Sequence, residues 1–239
     1  MNPKFAAILA LSLAFPVQAE TAATAKLLEY KSEDGNAKAT YPSLMDPRYS
    51  QLNRLLADEA KNHFDACVEW VKDAQHDLKE AGSTATAYRW NLAHVESIRD
   101  DLVSLSYRNT EFEGGAHPNT IYSGVNYRIA ADGTPKRVGL WDVMTKSDAT
   151  IQMLSDSLID GLKSQNAAFV KDGSLKDLSQ PLTGDGVAFV ILPAGIGFLF
   201  SPYEVGSYAE GDFRVVVPYG KLASAIRADG PLAKSGEKP

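Results

Sequence analysis

Apolar residues recur at helical spacing from Pro47 to about Leu78, and this stretch constrains the fold of the chain more than any other. The charged residues between them lie on the opposite side of the predicted helix, so one face is buried and the other is solvated. Asp46 followed by Pro47 is typical of a helix start. The apolar positions are Leu52, Leu55, Leu56, Ala60, Phe64, Cys67, Val68, Val71 and Leu78.

After Gly82 the apolar pattern changes to a period of two residues, which is typical of β-strands. Val103, Leu105 and Tyr107 point to one side of a predicted strand, and the polar residues between them point to the other. A second helix is predicted over 148–163, with Ser147 as its cap. The remaining predicted strand regions are 26–42, 121–129, 135–140, 187–192, 195–200 and 213–217. We therefore predict an α+β fold in which antiparallel sheets pack with two main helices.

The first 19 residues predict a secretory signal peptide. Lys4 precedes an apolar run from Phe5 to Phe15, and Val17 and Ala19 occupy the positions that a signal peptidase recognises. The apolar run is shorter than the roughly 20 residues that a membrane-spanning helix needs. We expect cleavage after Ala19 and a periplasmic or secreted protein with no membrane contact after cleavage.

The composition argues against nucleic acid and anionic membranes as partners and against stabilisation by a disulfide within the chain. The chain has 24 basic and 30 acidic residues, for a formal net charge of -6. Nucleic acid and anionic membranes select basic patches, so neither is expected as a partner. The negative charge would favour a cationic partner, and it is also common in soluble proteins. Cys67 is the only cysteine, so stability must come from packing and not from a disulfide within the chain.

The sequence contains no complete catalytic motif that we recognise. The four histidines are His63, His76, His94 and His117, and none begins a His-x-x-x-His metal motif. The Gly-x-Ser-x-Gly elbow of many serine hydrolases is missing. The glycine pairs at 184–186 and 195–197 fall in predicted hairpins, where turns are a better interpretation than phosphate-binding loops. We therefore assign no catalytic residue, no metal and no cofactor.

The sequence GGAHPN, which follows Glu113, stands apart from the rest of the chain. Gly114, Gly115 and Pro118 predict a constrained, ordered turn between two strands. His117 is interpreted either as a structural residue bonded to its neighbours or as an exposed binding or acid-base group. The second interpretation gives an alternative function, an envelope hydrolase that uses His117 with a nearby carboxylate such as Glu113.

A second motif, FLFSPYEVGSYAEG, spans residues 198–211 and is followed by VVVPY at 215–219. Together with the GGAHPN loop, it resembles the DUF3298 family over roughly residues 107–222. The preceding region, with Tyr41 and with Asn53 near the start of the long helix, resembles the companion DUF4163 segment. Such segments occur in exported bacterial proteins, including the extracytoplasmic part of the anti-sigma factor RsiV and the non-catalytic part of the peptidoglycan deacetylase PdaC.

The resemblance implies an exported, non-catalytic binding protein of the bacterial cell envelope. Its partner would be a protein or a cell-wall component outside the cytoplasm, and lysozyme-like muramidases are the specific candidate because RsiV binds lysozyme. On the two motifs, the candidate binding residues are His117, Asn119, Tyr203 and Glu204.

The predicted organisation has four parts. Residues 1–19 are the signal peptide, and residues 20–100 are the DUF4163-like segment with the long helix. Residues 101–227 are the DUF3298-like α+β domain. Residues 228–239 are polar and rich in glycine and proline, so they predict a disordered tail.

Overall fold

The structure is a computed structural model that describes residues 25–99, 101–184 and 187–233. One sheet contains β1 (Ala25–Lys31), β2 (Ala37–Leu44), β3 (Tyr88–Arg99), β4 (Leu102–Phe112), β5 (Asn119–Ile129) and β6 (Pro135–Arg137). The other contains β7 (Phe189–Leu192), β8 (Gly195–Phe200) and β9 (Phe213–Pro218). The predicted signal peptide lies outside the described residues.

Two long helices accompany the sheets. The α-helices are α1 (Ser50–Glu80), α2 (Leu140–Val143), α3 (Asp148–Ser164), α4 (Ala168–Lys171), α5 (Ser179–Thr183) and α6 (Tyr219–Leu222). Asp46 accepts the backbone N–H of Arg48 and so caps a single 3-10 turn that precedes α1. Ser147 caps α3 by accepting the N–H of Thr150 at 3.2 Å, as the sequence predicts. The predicted α+β class with two main helices is confirmed.

The strands of the larger sheet follow the order of the chain from β1 to β6, but they are not all antiparallel. β2 and β3 are parallel, and α1 connects them. Parallel neighbours need such a crossover, because a tight hairpin can only reverse the chain. The predicted antiparallel pairing is therefore found for the other strand pairs but not for β2 and β3. The sequence pattern also missed β3.

The two largest apolar cores of the described residues lie on either side of the larger sheet. Leu52 and Leu56 of α1 pack against β4 and β5, where Leu105 and Tyr127 are almost completely buried. The second core contains α3 and the smaller sheet. Its largest fully buried side chains are Met144, Leu154, Leu158, Leu162, Leu182, Ile191, Ile196 and Phe198. The molecule is thus layered in the order α1, larger sheet, smaller sheet and α3.

The two sheets meet through a row of polar side chains, which we call the polar row. Ser97, Ser104 and Asn126 lie opposite one another on β3, β4 and β5, and all three are at most 3% exposed. The N–H of Ile191 on β7 donates to Ser104 Oγ at 2.9 Å and to Asn126 Oδ1 at 3.1 Å. Ser97 Oγ donates to the Ile191 carbonyl, and Asn126 Nδ2 donates to the Phe189 carbonyl at 3.1 Å. Side chains therefore satisfy the outer backbone edge of β7.

The C-terminal part of the described chain is packed and not disordered up to residue 233. Leu232 is 8% exposed and belongs to the second core, and residues 228–233 form turns. The predicted disordered tail therefore begins too early. Residues 234–239 lie outside the described part of the chain. Among the residues that the structure describes, no helix has the length and apolar character needed to cross a membrane.

We expect Gly124→Ala to lower the free energy of unfolding by about 3 kcal/mol or more, because its Cβ would overlap the neighbouring sheet. An ideal Cβ on this β5 residue would lie 2.0 Å from the carbonyl O of Phe189. Gly220→Ala is the matched control, since a Cβ there meets no atom of the described residues within 4 Å. Urea denaturation followed by circular dichroism measures both variants, and equal stability would contradict the close approach of the sheets at Gly124.

Candidate functional site

The GGAHPN loop connects β4 to β5 and packs against the end of α1. Gly114 has a φ of +91°, and an ideal Cβ on it would lie 2.3 Å from Leu78 Cδ2. Gly115 does not have a positive φ, and the nearest atom to an ideal Cβ there is 4.0 Å away. The geometry therefore requires glycine at position 114 and not at position 115.

Both ring nitrogens of His117 have hydrogen-bond partners. Nδ1 lies 3.0 Å from the carbonyl O of Pro118, and Nε2 lies 3.0 Å from the hydroxyl O of Tyr203. A carbonyl oxygen can only accept a hydrogen bond, so Nδ1 carries a hydrogen. In the neutral ring, Nε2 then accepts from the Tyr203 hydroxyl.

His117, Tyr203 and Tyr208 form a cluster of aromatic rings, which we call the three-ring patch. The His117 ring stacks on Tyr208, with centroids 3.5 Å apart and an interplanar angle of 14°. The Tyr203 ring centroid is 6.0 Å from that of His117 and 5.8 Å from that of Tyr208. Tyr203 is 56% exposed and has a φ of +73°, which is rare for a residue other than glycine. The patch is thus presented at the surface by a strained backbone, a feature that clusters at functional sites.

Two glutamates hold the segment that carries both tyrosines. Glu204 accepts the N–H of Ser201 at 2.9 Å. Glu210 accepts the N–H of Ser207 at 2.7 Å and the N–H of Ala168 at 3.0 Å. These hydrogen bonds, above all the one from the Ser207 backbone, lower the pKa of Glu210. The segment is therefore held in place by the protein itself.

Tyr122 on β5 connects the larger sheet to the same segment. Its backbone N–H donates to Ser201 Oγ at 3.1 Å, and its hydroxyl donates to Asp212 Oδ1 at 3.2 Å. Burial, and secondarily the charge of Asp212, raises the pKa of Tyr122 to about 12. The hydroxyl is consequently neutral at physiological pH and remains a hydrogen-bond donor to Asp212.

The four predicted binding residues have different surroundings. His117 and Tyr203 are hydrogen-bonded to each other, whereas the Glu204 carboxylate accepts from the Ser201 N–H in its own segment. Asn119 has a different partner, since its Nδ2 lies 3.4 Å from Glu111 Oε1. Sequence reasoning did not single out Tyr208. The only sequence feature that could have indicated Tyr208 is its place in the same motif as Tyr203. Its stacking on His117 is evident only from the fold.

The surroundings of His117 do not form a histidine-carboxylate pair. Its two ring nitrogens are bonded to a carbonyl and a hydroxyl, whereas Glu111 pairs with Arg89 at 3.4 Å. A catalytic histidine is typically oriented by a carboxylate or a similar third group. Within residues 25–99, 101–184 and 187–233, no group of three His, Cys, Asp or Glu side chains could hold a metal ion.

We expect Gly114→Ala to destabilise the protein by about 1 kcal/mol or more, because alanine is strained at positive φ. The same substitution at Gly115 should change the free energy of unfolding by less than about 0.5 kcal/mol. The two neighbouring glycines are thus matched controls for each other in urea denaturation. The loop geometry would be wrong if Gly115→Ala cost as much as Gly114→Ala.

We also expect the protein to lose stability as the pH rises from about 10 towards 12, and part of this loss to come from Tyr122. Its pKa of about 12 in the folded protein exceeds the ordinary value of 10.0. The stabilising contribution is therefore complete below about pH 10 and is lost as the pH rises through the folded-state pKa. Urea denaturation at about pH 9 and about pH 11 should show a smaller loss in Tyr122→Phe than in the wild type. An equal loss would assign the effect to other groups.

Two family models match the chain. Residues 28–120 match the one described as "Deacetylase PdaC", and residues 142–220 match the one described as "Protein of unknown function (DUF3298)". The GGAHPN loop falls in the first match, and the segment with Tyr203 and Tyr208 falls in the second. The DUF4163-like character of residues 20–100 stays a prediction.

Two solved structures share this fold. A DUF3298 family member from Bacteroides fragilis is 17% identical, with 90% of this chain and 96% of that chain covered and a TM-score of 0.54. A DUF3298 family protein from Pseudomonas aeruginosa is 16% identical, with 86% and 94% covered and a TM-score of 0.55. No curated protein matches the chain in sequence. The chain therefore contains a DUF3298 match at 142–220, preceded by a PdaC match at 28–120, and shares its fold with DUF3298 family structures.

Proposed function

We propose that this protein is an extracytoplasmic binding protein of the bacterial cell envelope and that the three-ring patch is its contact surface. The observation that carries the proposal is the joining of His117 and Tyr203 from two distant segments into one exposed cluster. Aromatic rings are enriched in protein interfaces because they bury a large area and keep a polar group for a hydrogen bond.

The rigidity of the patch supports binding over a structural role. Glu204 and Glu210 hold the tyrosine segment, and Gly114 sets the turn that presents His117. A preorganised surface loses little conformational entropy on association, so more of the contact energy contributes to affinity. A histidine needed only for the turn would be satisfied by the Pro118 carbonyl, without the stack and the hydroxyl contact.

The charges around the patch favour a cationic protein partner. The two segments at 113–119 and 201–212 contain four carboxylates and no lysine or arginine. These carboxylates belong to Glu113, Glu204, Glu210 and Asp212. Opposite charge accelerates encounter and orients the partner. Lysozyme-like muramidases, which the family resemblance suggests, are the specific partner that we propose.

The proposed location has two supports. The charged, apolar and small-residue order of residues 1–19 predicts export. The match to a family named for the deacetylase PdaC suggests a cell-wall context. A hydrolase that uses His117 with Glu113 has no comparable support, because other groups engage both ring nitrogens.

We expect Tyr203→Ala and His117→Ala each to weaken binding to hen lysozyme by at least about tenfold, as for central aromatic contacts in other interfaces. His76→Ala is the matched control, because His76 is an exposed histidine on α1 that lies 3.4 Å from Glu80 and is not one of the three rings. Calorimetry at low and moderate salt measures the affinity, which should fall as salt screens the charges.

Other outcomes would redirect or reject the proposal. No heat and no inhibition of lysozyme at tens of micromolar would remove lysozyme as the partner. Co-purification from a periplasmic extract would then test for another protein, and co-sedimentation with purified peptidoglycan would test for a cell-wall component. If the two patch variants retain the partner as well as His76→Ala does, the patch is not the contact surface.

A further inference from the structure

A cavity of about 250 Å³ lies between α1 and strands β3, β4 and β5, next to the hairpin that ends in the GGAHPN loop. We call it the amide pocket. Side chains from all four elements line it, and three of them are the asparagines Asn91, Asn109 and Asn119. The pocket shares no lining residue with the three-ring patch, so ligand binding there is independent of the proposed function.

Strand register explains why this pocket is polar. Asn91 lies opposite Asn109, which in turn lies opposite Ile121. The next row on the same sheet face, towards the loop, is Arg89, Glu111 and Asn119. Because side chains alternate along a strand, these rows share the sheet face that packs against α1 through Val103 and Leu105. The face thus changes from apolar to polar towards the hairpin, where α1 contributes the small side chains Ala66 and Cys67 to the cavity wall.

Asn91 has an unused acceptor at this site. The residue is 4% exposed, and its side-chain Nδ2 donates to Asn109 Oδ1. Its Oδ1 is covered by neighbouring atoms and has no hydrogen-bond partner among the residues that the structure describes. A buried polar atom without a partner costs about 1–3 kcal/mol. A ligand hydroxyl or N–H that reaches Asn91 Oδ1 would remove that cost.

The other walls select a neutral ligand with an apolar side. Arg89 and Glu111 neutralise each other at 3.4 Å, and Glu111 also accepts from the Asn119 amide. This ion pair presents no net charge to a carboxylate or an amine, and His63 is the other basic side chain of the lining. Ile121 and Ala66 provide carbon surface beside the amides. A sugar ring combines these properties, since its hydroxyls bond to amides while its C–H groups contact carbon.

We propose that the amide pocket binds a neutral, hydroxyl-bearing ligand the size of one sugar ring, and that Asn91 Oδ1 accepts a hydrogen bond from one of its hydroxyls. The cavity volume of about 250 Å³ is below the range typical of drug-sized ligands and fits a single ring. Such a small ligand binds with a dissociation constant on the order of 1 mM.

The test is a titration of the whole protein with glucose and with N-acetylglucosamine, followed by NMR of the side-chain amides. We expect the signals of Asn91 and Asn109 to shift in a saturable manner with at least one of the two sugars. Ala66→Trp should abolish the shift, because Ala66 is an exposed helical residue on the pocket wall and a large ring there would fill the cavity. Asn91→Leu should weaken binding at least tenfold by removing the acceptor.

The control is His117→Ala, which changes the three-ring patch and should leave the sugar titration as in the wild type. A pocket that holds only water would give no saturable shift up to about 50 mM of either sugar, and this result would overturn the proposal. Unchanged binding in Ala66→Trp would also overturn it, because the sugar would then be bound elsewhere. Circular dichroism of each variant separates loss of binding from loss of fold.

Discussion

The fold depends on how the outer edge of β7 is satisfied. A strand edge normally pairs with another strand or faces water, but here Ser97, Ser104 and Asn126 provide the partners from the face of a different sheet. Hydrogen bonds are directional, so the polar row fixes both the distance and the register between the sheets, which apolar packing alone would specify less tightly. Gly124 permits the close approach because it has no side chain to separate β5 from Phe189 of β7.

This connection also explains why the three-ring patch exists. The patch takes His117 from the segment that matches the PdaC family and its tyrosines from the segment that matches DUF3298. The two segments come together at the surface because the polar row and Tyr122 hold their sheets in one arrangement. Neither matched segment contains the complete patch, so the patch forms only where the two segments pack together.

The sequence predicted helices and strands that have one apolar and one polar face. It failed for elements that carry polar residues on both faces. The helices α1 and α3 have a single apolar stripe, and most of the strands that follow β3 are short apolar or alternating runs. β3 was missed because polar residues such as Asn91 and His94 occur on both of its faces. The sequence motifs pointed to His117 and Tyr203, but the stack with Tyr208 depends on contacts between distant segments. From the sequence alone, Ser104 and Asn126 are expected to face solvent, because only the packing of the second sheet buries them.

The polar row has a consequence for the order of folding. Its hydrogen bonds to β7 join residues that are 63 to 94 positions apart in the chain. Closing a loop of that length costs entropy before any contact compensates for it, and non-local contacts of this kind slow folding. The hairpin of β4 and β5 can form locally. Ser104 and Asn126 of the polar row can therefore be in position before β7 packs against them. We therefore expect the larger sheet to form first and to provide the surface on which the C-terminal half completes its fold.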